Sequence, residues 1–314
     1  MKVYRLLPVA VGMAFVGCSG DSLSHVVTPD ASAAVRWVNV VPDTMPLDYR
    51  VVDVVTNANE ASVAYRGSSG AYRRIPPGSH RIRVFLAGTT FAGNAPSVVS
   101  TVVLDTTLSF TLNHYYTVFH VGYMKSGASP KHQFVVTDDV FPAVTTGNTA
   151  FRAFNAMGPT GTADISVTQA TATGGAAPAA TFAGLVYGAT SNYAQLAAAP
   201  TAPAASSYRV TSAAAGSATA LGDALAPIGV AGTPAVTTPL GTTTPALDPI
   251  AGSQQTGSVL TFVAAPPAVS YTLTASGTTS GVAAGSTSIV AGTTTSPIVT
   301  LVDLNPNAKL LGQP

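Results

Sequence analysis

From residue 35 onward the chain alternates apolar and polar positions in short runs. In Val35–Val41 the apolar Val35, Trp37 and Val41 share one side of a period-two pattern, with Asn39 among them. Leu47, Tyr49 and Val51 then alternate with Asp48, Arg50 and Val52, after a proline-bounded turn, Pro42-Asp43-Thr44-Met45-Pro46. A second turn, Ile75-Pro76-Pro77-Gly78, launches His80–Leu86, where His80, Ile82, Val84 and Leu86 face away from Arg81, Arg83 and Phe85. Ser100–Leu104, Leu108–Met124 and Phe134–Val140 supply the remaining apolar runs. Short strands divided by Gly and Pro turns at intervals of about ten residues predict an antiparallel β-sandwich. No long segment has a helical period.

The pattern then restarts. Val35–Val51, VRWVNVVPDTMPLDYRV, returns from Phe151 to Val167 as FRAFNAMGPTGTADISV. Arg36, Asn39 and Asp48 keep their spacing as Arg152, Asn155 and Asp164, the mark of a duplicated folding unit. Tyr65, Gly67 and Tyr72 are echoed by Tyr187, Gly188 and Tyr193, and Ile82-Arg83-Val84 by Tyr208-Arg209-Val210. Val259–Ala264 and Tyr271–Ala275 alternate again, and Pro297–Asp303 resembles the closing run Phe134–Asp139. The reading is therefore all-β: two tandem antiparallel, immunoglobulin-like sandwiches at residues 35–143 and 149–305, then a tail at 306–314. Residues 222–258, rich in Pro, Thr and Gly, match no regular element by pattern and read as a long surface excursion whose structure the sequence leaves open. The repeated Arg, Asn and Asp are expected to serve the fold. An Arg–Asp pair would brace the first hairpin, and the Asn would bond its turn.

Before residue 35 the pattern changes. Lys2 and Arg5 precede an apolar run of eleven residues, Leu6–Val16, too short to span a bilayer. Gly17 and the lone Cys18 follow. This arrangement resembles a bacterial lipoprotein signal, which implies removal of residues 1–17 and lipidation of Cys18. Ser19 in place of Asp implies an outer-membrane destination, and residues 19–34 read as a polar tether. A single cysteine excludes an internal disulfide and a thiolate metal cluster.

Composition narrows the remaining chemistry. Charged residues make up 9% of the chain, far below the roughly 25% of an average soluble domain. A net charge of +1 offers no general attraction to nucleic acid, so none is expected as a partner. Nucleophile-elbow, zincin, P-loop and EF-hand motifs are all absent from the sequence. Asp138 and Asp139 are adjacent and point to opposite faces of a strand, a poor acid–base pair. His114 and His120 share a strand face roughly 20 Å apart, too far for one metal. No cofactor, metal or enzymatic activity is expected. The one candidate binding feature is basic: Arg66, Arg73, Arg74, Arg81 and Arg83, interleaved with Tyr65 and Tyr72, and free of acidic residues from Ala61 to Leu104. It fits either an anionic partner, such as a glycan, lipid A phosphates or another protein's acidic face, or a solvated sheet face that resists aggregation.

The opening Arg36-Trp37-Val38-Asn39, the turn at Pro42, Asp48, and Pro77-Gly78 leading to Ile82-Arg83-Val84 together resemble the bacterial domain-of-unknown-function family 4397. The resemblance covers most of the first unit and fades in the second, where Gly158-Pro159 replaces the proline turn. It implies an exported, β-rich lipoprotein and attaches no activity. The expected role is structural or adhesive, through an envelope polymer or protein partner, with glycan or small-ligand binding as the alternative.

Overall fold

The computed structural model describes residues 31–87, 102–158, 161–169, 178–200, 207–237, 243–266 and 298–306. Cys18, most of the tether and Tyr271–Ala275 lie outside them. From Ala31 onward the chain forms one compact unit, with no α-helix among the described residues.

The first half contains β1 (Ala33–Asn39), β2 (Leu47–Val51), β3 (Glu60–Val63), β4 (Arg73–Ile75), β5 (Gly78–Leu86), β6 (Val102–Phe110), β7 (Tyr115–Val121) and β8 (Gln133–Asp138). They form two four-stranded sheets, β4-β1-β7-β8 and β3-β2-β5-β6. The second half contains β9 (Asn148–Asn155), β10 (Ala163–Gln169), β11 (Ala180–Leu185), β12 (Ala194–Ala197), β13 (Tyr208–Ala214), β14 (Ala220–Leu225), β15 (Val236–Thr237), β16 (Thr243–Thr244), β17 (Val259–Ala264) and β18 (Ile298–Leu304). Its large sheets, β12-β9-β17-β18 and β11-β10-β13-β14, repeat the first half's connections strand for strand. The halves are thus alike, each a pair of four-stranded sheets.

Period-two alternation explains the layers. On β1, Val35 and Trp37 enter the first half's own core with Leu47, Tyr49, Ile82 and Val84. Val38, on the opposite face, joins Phe119, Val121, Phe154, Val263 and Leu301 in a layer between the halves. The second half encloses its own core of Phe151, Ile165, Val210, Leu260 and Phe262. The sheets containing β1 and β9 therefore face each other, and every residue of β1 is buried. A strand covered on both faces accounts for the nearly continuous apolar run that opens each half.

Three sequence expectations are corrected, and one stretch left open by the sequence takes shape. The sheets are mixed, because β1 pairs in parallel with β7, and β9 with β17. A parallel pair needs a long crossover, which here passes through the other sheet of the same half. The run Leu108–Met124 is broken by a turn in which Asn113 has φ 63°, separating β6 from β7. Arg209 corresponds to Arg81 rather than Arg83, since Val51 pairs with Ile82 while its counterpart Val167 pairs with Val210. Lastly, residues 222–258 include a hairpin arm. The bridges Val230–Ile250 and Thr233–Leu247 lead to the β15–β16 pair. The arm sits where the first half has only its short β6–β7 turn.

Candidate functional site

The repeated arginines meet between the halves. Arg36 extends from the face of β1 opposite Trp37, so it points away from the hairpin and from Asp48. Its partner is Asp303, at 2.6 Å, with both side chains fully buried. It also donates to the Thr117 hydroxyl (2.8 Å) and the Val302 carbonyl (2.7 Å). Arg152 makes the reciprocal contact, to Asp139 of the first half, and donates to Thr261 at 2.7 Å. Each carboxylate also accepts from threonine and tyrosine of its own half: Asp139 from Thr117 and Tyr72 (2.6 and 2.8 Å), Asp303 from Thr261 and Tyr193. The guanidinium carbon of Arg36 lies 4.5 Å from the Tyr72 ring centroid, and that of Arg152 lies 4.9 Å from Tyr193.

The network carries two positive and two negative groups away from solvent. Burial alone would lower the Arg36 guanidinium, but Tyr72, Asp303 and Asp139 outweigh it and hold the group above its ordinary value. Burial raises the Asp139 carboxyl, and Arg152 opposes that rise. Burial also pushes the Tyr72 and Tyr193 hydroxyls up. Such an arrangement binds the halves and fixes their register; it offers no water-accessible acid or base.

The other repeated residues act locally. The Asn39 side chain accepts from the Val41 amide and donates to the Val63 carbonyl, while Asn155 does the same with Met157 and Leu185. Asp48 accepts from the Ser62 amide and Arg50, and Asp164 from the Gly184 and Gly216 amides. Asp48 therefore anchors neighbouring backbone in the outer sheet, and the expected Arg36–Asp48 brace does not form.

The basic stretch does not converge on one site. Arg81 and Arg83 both bind Asp105 across the outer sheet, and Arg73 binds Glu60. The two acids that bound the acid-free stretch thus pair with three of its five arginines, Asp105 being shared by two of them. Arg66 lies over the Tyr65 ring beside Pro266 of the second half, and Tyr65 donates to the Pro266 carbonyl. Arg74 is exposed on the edge strand β4. Tyr72 belongs to the buried network.

The histidines separate as well. His114, exposed, bonds Asp138 at 2.7 Å. His120, buried, contacts Tyr49 (3.3 Å) and His132 (3.1 Å), and burial followed by the His132 charge lowers its pKa well below the ordinary value. No group of three or more His, Cys, Asp or Glu is placed to hold a metal among the described residues.

Sequence reasoning missed Asp139, Asp303, Thr117, Thr261 and the shared role of the tyrosines. A signal was present: both halves close on a similar run that reaches an Asp, Phe134–Asp139 and Pro297–Asp303, and both carry the tyrosine. Nothing in the linear order joined those aspartates to arginines in the opposite half.

The fold and network define a two-half, all-β protein whose recurring polar side chains serve its own assembly. Residues 33–166 match the family described as Domain of unknown function (DUF4397), so the chain carries a domain of that family. The match spans the whole first half, β9 and the start of β10. No curated protein sequence matches the chain.

Proposed function

We propose that this is an exported, lipid-anchored envelope protein with a non-enzymatic, structural or adhesive role. The observation that carries this reading is the fate of the polar residues found in both halves. Arg36, Arg152, Asp139, Asp303, Tyr72 and Tyr193 are consumed in a buried contact between sheets, leaving them unable to line a site. The basic stretch supports the same reading, because three of its arginines are paired in place and the others are dispersed. The anchor rests on the Lys2–Cys18 pattern.

The test has two parts. Metabolic labelling with a radioactive fatty acid should mark the wild-type protein and not Cys18→Ala, which should leave the membrane fraction. Separately, the chain from Ser19 onward is screened against envelope polymers beside a variant with Arg73, Arg74, Arg81 and Arg83 changed to Ser. Equal behaviour of the two proteins fits the structural reading. Salt-sensitive glycan binding that only the variant loses would replace it with recognition by the basic face.

A further inference from the structure

Among the described residues, each half closes an apolar core from its own strands, around Trp37 and Tyr49 in the first and Phe151 and Phe262 in the second. A separate layer joins them. At its centre the Phe119 and Phe154 rings stack with centroids 3.8 Å apart. Beside it, the charged network takes one Arg, one Tyr, one Thr and one Asp from each half, and each Arg reaches the other half's Asp. That reciprocity is the signature of a two-fold contact between subunits, here closed within one chain. The connection, residues 140–147, contains no strand, and Val140 at its start is 75% exposed. Eight extended residues reach about 26–29 Å.

We propose that the inner face of the first half is a docking surface for the second half of another copy of this chain, so that two chains exchange halves reciprocally. Arg36 of one copy then meets Asp303 of the other, Asp139 meets Arg152, and every buried charge keeps a partner. Packing selects unlike halves. Val40 and Val121 of the first half correspond to Ala156 and Ala265 of the second, all four within the shared layer. Two first halves would bring together four valines where the native layer holds two valines and two alanines, an overpacked contact. The inference deepens the interaction role proposed above by naming a second copy as partner, and it rests on that role for its setting: exchange would tie neighbouring anchored chains together.

Charge reversal tests it in the chain from Ser19 onward. Arg36→Asp sets two carboxylates against each other within its own chain, and Asp303→Arg sets two guanidiniums together. In a reciprocal exchange between these two variants, one contact is native. The other joins the two introduced side chains, a carboxylate at position 36 and a guanidinium at position 303, so both contacts are neutral. Light scattering should find a species of twice the monomer mass in the one-to-one mixture and in neither single variant alone. The double variant Arg36→Asp/Asp303→Arg, whose charges match within one chain as they do between copies, serves as the folding control. A mixture that stays at monomer mass while the double variant folds overturns the proposal. Should both single variants fail to fold, wild-type chains bearing two different tags are taken together through mild urea and back into buffer. Co-capture of the tags supports exchange, and tags that stay separate refute it. Fatty-acid labelling of Cys18 is indifferent to either result, so loss of exchange and loss of the anchored reading are told apart.

Discussion

Arg36 and Asp303 stand 267 residues apart in sequence, yet Nη2 of one lies 2.6 Å from Oδ1 of the other with neither side chain exposed. Removing Arg36 leaves Asp303 buried with only the longer contact to Arg152, at 3.6 Å, and removing Asp303 leaves Arg36 buried without its ion-pair partner. Arg36→Met should therefore lower the free energy of unfolding by about 3–5 kcal/mol. The double variant Arg36→Met/Asp303→Leu should lose less than the sum of the single variants, because the two residues share one interaction. Urea titration of all four proteins gives the cycle, and strict additivity would show that the pair contributes nothing.

The reciprocal contact, Arg152 with Asp139, should set how the halves unfold. Trp37 is the only tryptophan, and it lies in the first half's core, stacked on Tyr49 at 5.4 Å. Its fluorescence reports that half, while far-ultraviolet circular dichroism reports both. In the wild type the two transitions should coincide. In Arg152→Leu/Asp139→Leu they should separate, since each half keeps its own core while the coupling layer is weakened. Coincident transitions in the variant would mean that the apolar layer alone holds the halves as one cooperative body.

How much of this was legible beforehand depended on sequence distance. Strands, halves and turn residues could be read because alternation and repetition are local: Asn39 and Asn155 bond amides only two residues away. The parallel β1–β7 pairing could not, since a period-two pattern shows which face a residue takes and not which strand lies beside it. Alternation does set Arg36 opposite Trp37 and so away from the hairpin's core. What lay beyond that face needed the second half in place. The pairing within the basic stretch was hidden for a related reason: Glu60 and Asp105 flank it in sequence but cross it in space.

His120 makes stability depend on mild acid. It is enclosed by Tyr49 on β2, His132 in the loop before β8, and Phe134 on β8. Burial depresses its pKa in the folded state, so below about 6.5 the unfolded chain binds more protons and folding loses stability as pH falls. The second half carries Ala264 at the corresponding position, so the fold does not demand a histidine. His120→Gln should shrink the drop in Tm between pH 7.5 and pH 5. The lowered pKa of His132 leaves part of that drop in place. An unchanged slope would place the acid sensitivity elsewhere.

Asp105 acts at lower pH and on the outer surface. Hydrogen bonds from Arg81, with those from Arg83, hold its carboxyl down to about 2. The stability it lends is complete above the unfolded carboxyl's pKa and is lost as pH falls from about 4 towards 2. Asp105→Asn should flatten that part of the acid transition, less visibly in high salt because the group is exposed. The variant also uncovers two arginines, so it should be retained longer than wild type on a dextran sulfate column. Unchanged retention would show that this face cannot hold a polyanion even when freed.

The hairpin arm should prove separable from the fold. Between β14 and β17 the second half inserts residues 226–258, where the first half turns directly from β6 to β7. Val230, Val236, Leu247 and Ile250 are each more than half exposed, so the arm adds little to the core. Its base is held by the amide of Ser253 donating to Pro227 and by the Val230–Ile250 bridge. Replacing Val230–Ile250 with Asn-Gly keeps the first of these anchors and shortens the loop. Since loop-closure entropy varies only slowly with length, stability should change by no more than about 1 kcal/mol. Removal of four exposed apolar side chains should also reduce self-association at high concentration, read by light scattering. A larger loss of stability would show that the arm supports the second half's core.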